Sequence, residues 1–184
     1  DEHDFNEAFM MHSSTSPQYG IVASCEVSAA MMEGNTGRRV IENSLKRALN
    51  FRREMVRLNA EAEGWFYRVW QPLDIEKLAC WGLSPNDSWH GFRDIDSNHM
   101  YLDPIKITLT LPGLSADGVM EQHGIPGSLV AAFLAGHDII VEKTGPYTML
   151  FLFSIGVTKS KVMKLLRGLL DFKAAYDRDE TIEN

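Results

Sequence analysis

The sequence has few cysteines and few basic residues for its length, and each shortage argues against a class of protein. Its 2 cysteines, Cys25 and Cys80, have neither metal-binding nor redox-motif spacing. We therefore interpret them as buried or incidental thiols of a reducing compartment. Lys and Arg total 18 against 25 Asp and Glu, a net charge of −7. This balance argues against broad nucleic-acid binding and against binding to an anionic membrane surface.

Long apolar runs are also lacking. The longest, around residues 149–155, has the length of a strand and is too short to span a bilayer. The first residues, Asp1-Glu2-His3-Asp4, are acidic where a signal peptide would be basic, so we expect a cytoplasmic protein. The chain starts without methionine, and the abrupt apolar residues that follow suggest a segment cut from a longer polypeptide. Its 184 residues, 45% hydrophobic, are enough for one large domain or two small ones.

A run of hydroxyl side chains near the start precedes a helical pattern. Four consecutive Ser and Thr residues, 13–16, come directly before Pro17. The pattern predicts a helix over residues 17–32, with Ser16 as its cap and Pro17 in its first turn. A helix N-terminus rich in N–H groups and hydroxyls can also bind phosphate. The pattern alone leaves both interpretations open, a capped helix or an anion site.

The rest of the first third is predicted to be helical. Small and apolar residues of the first helix form one packing face, and glycines at 34–37 indicate a turn. A long helix then covers residues 38–62. Its basic residues are typical of a solvated face, or of a face that pairs with an acidic partner subunit. The predicted packing face comprises Ile21, Val22, Cys25, Ala29 and Met32, and the basic face Arg38, Arg39, Lys46, Arg47, Arg52, Arg53 and Arg57.

From residue 65 onward the pattern alternates between strands and helices. Strands are predicted at residues 65–70, 105–111, 139–142 and 148–155, with a turn at 144–147. Residues 74–98 are predicted to be a loop anchored by Trp81 and Trp89. Helices are predicted at residues 126–135 and after Thr158, the second with Val162, Leu165, Leu166, Leu169 and Tyr176 facing inward. The fold class is therefore α/β, a small sandwich with helices on one face of a sheet.

No self-contained catalytic set is visible. His90 and His99 lie in a loop rich in aspartates, but their spacing matches no helical ligand pair, so we predict no metal site. Cys25 has no histidine placed to activate it, which favours a buried structural thiol. Glu142, after an apolar strand and before a tight turn, could hold an ammonium group or pair with Lys143 on the surface.

Five blocks, in order along the chain, resemble one known family. They are residues 9–24, 89–92, 99–106, 142–147 and 150–156. They are similar to the bacterial ornithine/lysine/arginine decarboxylases, which use pyridoxal 5'-phosphate (PLP) and have the aspartate-aminotransferase fold. The Glu-Lys-Thr-Gly-Pro-Tyr block at 142–147 is most similar to the lysine branch. No arginine lies in a matching block to bind an α-carboxylate, which disfavours an aminotransferase.

The resemblance implies a division of the chain and a set of site residues. Residues 1–37 would end the PLP-binding large domain, 38–64 would be a connecting helix, and 65–184 a small α/β domain. By matching position, Ser14 would bind the cofactor phosphate of the neighbouring protomer, with Ser13 and Thr15 beside it. Glu142 would face the distal amine of the substrate. The Schiff-base lysine lies upstream in the family, so no catalytic residue is expected here and the chain alone should be inactive.

The implied activity is decarboxylation of lysine to cadaverine and CO₂. The alternatives are an ornithine or arginine decarboxylase, or a non-catalytic regulatory or interaction module that keeps the small-domain fold. The family implies a homodimer with shared active sites, in some members gathered into decamers, acting on a small amino acid with no nucleic-acid or membrane partner. Inducible members bind a regulatory nucleotide through arginines where this chain has Ala174 and Thr181, so we expect no such regulation.

Overall fold

The computed structural model describes residues 2–13, 16–85, 87–92, 94–96 and 100–181. The chain divides into two compact units, Asp1–Ile41 and Glu42–Asn184. In the part of the chain that the structure describes, no helix is both long enough and apolar enough to cross a membrane.

The first unit is helical. It contains α1 (Glu2–His12), α2 (Tyr19–Met32) and the first residues of α3 (Gly34–Glu61). The sequence pattern did not indicate α1. Neither α1 nor α2 has a buried residue. The predicted packing face of α2 is therefore exposed within this unit, and the prediction that Cys25 is buried is wrong. An apolar pattern identifies a face that can be buried but does not supply the element that covers it.

The break between α2 and α3 is shorter than predicted. Glu33 has extended backbone angles (φ −74°, ψ 146°), and Gly34 has φ +58°, a left-handed conformation that favours glycine. Helix α3 starts at Gly34, so the prediction of a turn over residues 34–37 is wrong. Gly37 is needed within the helix, because a Cβ there would collide with the backbone of Met32.

The second unit contains a four-stranded antiparallel sheet. Its strands are β1 (Arg68–Val69), β2 (Lys106–Thr110), β3 (Lys143–Gly145) and β4 (Thr148–Leu152), in the order β1-β2-β4-β3. Helices α4, Gly127–Ala135, and α5, Lys159–Asp177, complete it, with a short 3-10 helix at Leu78–Trp81. As predicted, Thr158 caps α5 and its hydroxyl accepts from the Lys161 N–H. The predicted α/β class is confirmed.

One continuous core joins the sheet to the helices. The register pairs Ile107 with Phe151 and Leu109 with Met149, and opposite residues of an antiparallel pair share a face. All four are buried in one cluster with side chains of α3, α4 and α5. Tyr67, in the same cluster, is wholly buried, and its hydroxyl has no hydrogen-bond partner among the described residues. This burial raises the pKa of the Tyr67 phenol.

A second apolar cluster lies under the loop predicted at residues 74–98. Trp81 and Trp89 pack against it as predicted, and the Trp81 Nε1–H donates to the Ile75 carbonyl oxygen at 2.7 Å. The buried members of the cluster are Ile75, Leu83 and Leu102. Apart from the short 3-10 helix at Leu78–Trp81, packed indole rings hold this loop in place.

Three predicted details of the second unit are corrected by the structure. The strand predicted at 139–142 forms instead at Lys143–Gly145, because only Pro146 and Tyr147 are needed for the turn and Gly145 already pairs with Thr148. The strand predicted at 65–70 has only two ladder residues. Tyr176, predicted to face inward, is 54% exposed, although the centroid of its ring lies 5.3 Å from that of Phe66.

Arg52 is the clearest departure from the predicted solvated face of α3. It is wholly buried, whereas Arg53 beside it is exposed. Its Nε donates to the carbonyl oxygen of Pro104 (3.1 Å) and its Nη2 to that of Lys106 (2.8 Å). Its Nη1 lies 3.4 Å from the Trp70 carbonyl oxygen. Burial lowers the pKa of Arg52 to about 10, partly opposed by the charge of Asp103. The prediction is wrong for this residue because Arg52 belongs to the buried face of α3.

Candidate functional site

The hydroxyl-rich segment follows α1. The Ser13 Oγ donates a hydrogen bond to the Phe9 carbonyl oxygen (2.7 Å), and the Ser13 backbone N–H donates to that of Met10 (3.3 Å). The Ser13 proton is therefore used at the end of α1, and donating it to a phosphate requires the hydroxyl to rotate away from Phe9. Ser14 and Thr15, the other two predicted cofactor-binding residues, lie outside the described residues.

Helix α2 begins at Tyr19 without a side-chain cap. Its N-cap residue is Gln18, which has extended backbone angles (φ −88°, ψ 96°) and makes no side-chain capping bond. The prediction that Ser16 caps this helix is wrong, because Pro17 and Gln18 both stay outside it and Ser16 lies two residues upstream of the N-cap position. The first-turn N–H groups of a helix need acceptors, and an anion is a suitable one.

Glu142 lies at the outer edge of the sheet, directly before β3. Its backbone N–H donates to the Leu150 carbonyl oxygen of β4 at 3.0 Å, while its side chain is exposed. Within the described part of the chain, no ion pair joins Glu142 to Lys143 or to any other basic side chain. The alternative of a surface pair with Lys143 is therefore not observed.

The turn after β3 is fixed by close packing. The Gly127 N–H donates to the Pro146 carbonyl oxygen (2.9 Å), and a Cβ on Gly127 would collide with the carbonyl oxygens of Thr148 and Gly145. Only glycine lets the start of α4 approach the β3–β4 hairpin this closely. The hairpin that follows Glu142 is therefore held rigidly by α4.

Tyr147 anchors the same turn from the other side. Its ring packs on Gly113, where φ is +103° and a Cβ would strike the ring. Its hydroxyl donates to the Glu121 carbonyl oxygen at 3.3 Å, and its own carbonyl oxygen accepts from the Leu111 N–H at 2.9 Å. The block at residues 142–147 thus has two parts. Pro146 and Tyr147 build the turn, and Glu-Lys-Thr is left exposed.

His90 is a buried residue whose ring nitrogens both have hydrogen-bond partners within the fold. Its side chain is buried, its Nδ1 accepts from the Phe92 N–H (3.0 Å), and its Nε2 lies 2.8 Å from the Ser84 carbonyl oxygen. Since Nδ1 accepts, Nε2 carries the proton and donates it. Both nitrogens are therefore occupied. His99 lies outside the described residues, and among those described no group of three or more His, Cys, Asp or Glu side chains could hold a metal ion.

A cleft of about 420 Å³ opens beside β1 in the second unit. Its lining includes Arg68, Trp70, Trp89 and Asp117, but neither Ser13 nor Glu142. The Arg68 guanidinium is already bound to the Leu114 carbonyl oxygen, and Asp117 to the Ser115 hydroxyl. The two charged side chains of the cleft, Arg68 and Asp117, therefore already have partners within the fold.

The matched blocks and the α/β fold point to one protein family, that of the ornithine/lysine/arginine decarboxylases. The model of the family "Orn/Lys/Arg decarboxylase, major domain" matches residues 1–161, and the chain belongs to this family. The lysine decarboxylase of Hafnia alvei is 58% identical over 183 residues, which cover 100% of this chain and 25% of that protein. The solved structure of the constitutive lysine decarboxylase of E. coli superposes with a TM-score of 0.82 at 55% identity, covering 96% of this chain and 25% of that one.

Relatives of the other branches are more distant. The biodegradative arginine decarboxylase of Escherichia coli is 39% identical over 196 residues, and the inducible ornithine decarboxylase of a Lactobacillus strain is 30% identical over 193 residues. The two alignments cover 94% and 100% of this chain, respectively, and 26% of each relative. The chain thus spans about a quarter of the length of the curated relatives it matches.

Proposed function

We propose that this chain is a segment of a PLP-dependent lysine decarboxylase, which converts lysine to cadaverine and CO₂. The observation that carries the proposal is the difference in identity between branches. Lysine decarboxylases match at 51–58% along nearly the whole chain, against 39% and 30% for the arginine and ornithine enzymes above. Replacing the carboxylate by hydrogen consumes one proton per turnover.

The hydroxyl-rich segment is proposed to bind the phosphate of the cofactor. Ser14 is the main donor, with Ser13 and Thr15 beside it. The donor chemistry fits, because hydroxyls bind phosphate oxygens and Gln18, the N-cap residue of α2, makes no side-chain capping bond. When bound, PLP supplies the electron sink for loss of CO₂. The hydroxyl-rich segment would position the cofactor and donate hydrogen bonds to its phosphate.

Glu142 is proposed to hold the distal ammonium of the substrate. Its carboxylate is exposed and has no ion-pair partner among the described residues, so it can accept from an ammonium group. The bond from its backbone to Leu150 and the packed turn after β3 fix its place. A charge-assisted hydrogen bond of this kind orients the substrate without taking part in bond breaking.

The domain roles and assembly follow the same proposal. Residues 1–37 end the PLP-binding large domain, 38–64 connect, and 65–184 form the small domain. The length of α3, Gly34–Glu61, which continues through the boundary between the two compact units, supports a connecting role. The complete enzyme is proposed to be a homodimer with shared active sites, from which decamers can be built.

The proposal is tested by replacing Glu142 in the complete enzyme. CO₂ release is measured with lysine, ornithine and arginine for the wild type and for Glu142→Gln. We expect lysine to be the preferred substrate and Glu142→Gln to raise its KM by about 10- to 100-fold, the loss of one charged hydrogen bond. The matched control Glu63→Gln, at another exposed carboxylate, should leave KM unchanged.

Two results would contradict separate parts of the proposal. A wild-type enzyme that prefers ornithine or arginine would overturn the substrate assignment. An unchanged KM in Glu142→Gln, with lysine still preferred, would overturn only the amine contact.

A further inference from the structure

Ile140 is unusually exposed for an isoleucine. Its exposed fraction is 91%, and among the large apolar side chains of the described residues only Leu73, at 98%, exceeds it. Single exposed apolar side chains are common on protein surfaces. What distinguishes Ile140 is its place, two residues before Glu142.

The segment around Ile140 alternates between core and surface. Ile139 and Val141 pack against the main core, while Ile140 and Glu142 are exposed. This period of two indicates an extended chain from Ile139 up to the bend at Glu142, with residues i and i+2 on the same side, about 7 Å apart. The Ile140 and Glu142 side chains therefore share one side of the chain.

The backbone on both sides of Ile140 is tied down. The Ile139 N–H donates to the Leu134 carbonyl oxygen of α4, and the Glu142 N–H to that of Leu150 in β4, each at 3.0 Å. An apolar side chain and a carboxylate are thus presented at a fixed spacing. A ligand that suits both has a cationic end and an apolar stem.

Lysine has this chemistry, an ammonium group on a four-carbon apolar stem. We infer that Ile140 is a substrate-binding residue, which packs against the methylene stem while Glu142 holds the distal ammonium. This inference rests on the proposed function and adds a second determinant of substrate length. Ligand sites commonly combine apolar walls with a few placed polar groups in this way. The sequence signal for Ile140 is its position two residues before Glu142 in an alternating segment.

The test compares lysine with ornithine, whose stem is one methylene shorter. In the complete enzyme, Ile140→Ser should raise the KM for lysine about 10-fold, the lower end of what one contact with a methylene stem contributes to discrimination. The preference for lysine over ornithine should fall by a similar factor, because ornithine covers less of the Ile140 side chain. The kcat should change less than about 2-fold, since the contact is made in both ground and transition states.

Two further variants separate substrate contact from a structural role. Ile140→Val keeps most of the apolar surface and should retain the lysine preference. Leu73→Ser removes an equally exposed apolar side chain elsewhere in the second unit and should leave both KM values unchanged. If Ile140→Ser does not fold, Ile140→Thr, which keeps the branched shape, should lower the preference in the same direction.

The outcomes also distinguish this inference from the proposed function. If the wild type prefers lysine but Ile140→Ser leaves the lysine-to-ornithine ratio unchanged, the inference is overturned and the proposed function stands. Equal losses with both substrates would likewise overturn it, because they indicate that another part of the protein covers Ile140. If the wild type does not act on lysine, the proposed function fails.

Discussion

Arg52 and Arg53 are neighbours in sequence with opposite environments. The Arg52 guanidinium donates hydrogen bonds to the carbonyl oxygens of Trp70, Pro104 and Lys106. Arg53 is exposed and forms an ion pair with Glu76. Replacing Arg52 by Met keeps much of the side-chain length but leaves these buried carbonyl oxygens without their donor. We expect Arg52→Met to lower the free energy of unfolding by about 3 kcal/mol, measured by urea denaturation.

Arg53→Met is the matched control for this prediction. It removes one exposed ion pair, so its effect should stay within about 1 kcal/mol. Equal midpoints for the two variants would show that the Arg52 network does not stabilise the fold. The sequence alone could not separate the pair, because both belong to one basic run. Arg52 lies on the buried face of α3 because it is four residues after Ala48 and three before Met55, both of which are buried.

At the scale of secondary-structure elements, strong local signals were sufficient. The alternating apolar pattern predicted β2, the Pro126 and Gly136 boundaries predicted α4, and Thr158 predicted the start of α5. The wrong predictions lie where tertiary contacts determine which of two neighbouring segments forms the element. We predicted β3 at residues 139–142, but the residues that pair with β4 are Lys143–Gly145. Residues 139–142 still show the alternation of buried and exposed side chains that is typical of a strand.

The contact between α4 and the β3–β4 hairpin gives a prediction for Gly127. Alanine is normally favoured over glycine inside a helix by up to about 1 kcal/mol. At Gly127 the added Cβ would meet the carbonyl oxygens of Gly145 and Thr148, which belong to backbone and cannot move aside cheaply. We expect Gly127→Ala to lower stability by about 1–3 kcal/mol, measured as a fall in the thermal unfolding midpoint.

The other end of α4 provides the control. Gly136 has right-handed helical angles (φ −60°, ψ −16°), and a Cβ there would lie 3.3 Å from the Phe133 carbonyl oxygen, a far milder contact. Gly136→Ala should therefore change stability by less than about 1 kcal/mol. If the two variants unfold at the same temperature, α4 does not hold the hairpin in the way its packing indicates.

At the scale of the whole molecule, sequence and structure inform different parts of the candidate site. The ordered blocks predicted the family, and the match of its model to residues 1–161 confirms it. The roles of Ser13, Ser14, Thr15 and Glu142 remain predictions. Ser13 lies in the first compact unit and Glu142 in the second. No local pattern relates two such segments, and this chain spans only about a quarter of the relatives' length.

The proposed role of the hydroxyl-rich segment leads to a prediction for the 184-residue chain on its own. In the family that it resembles, the lysine that binds PLP lies in a Ser-x-His-Lys segment, and this sequence contains none. Mixed with PLP, the chain should therefore show no stoichiometric visible absorption band of lysine-bound cofactor and release no CO₂ from lysine. Exposed lysines such as Lys143 and Lys159 can react weakly with any aldehyde, so the same titration in urea is the control. A band of one cofactor per chain that is present in the folded chain and lost on unfolding would show that the chain holds PLP by itself, and would contradict the assignment of its hydroxyl-rich segment to only part of a cofactor site.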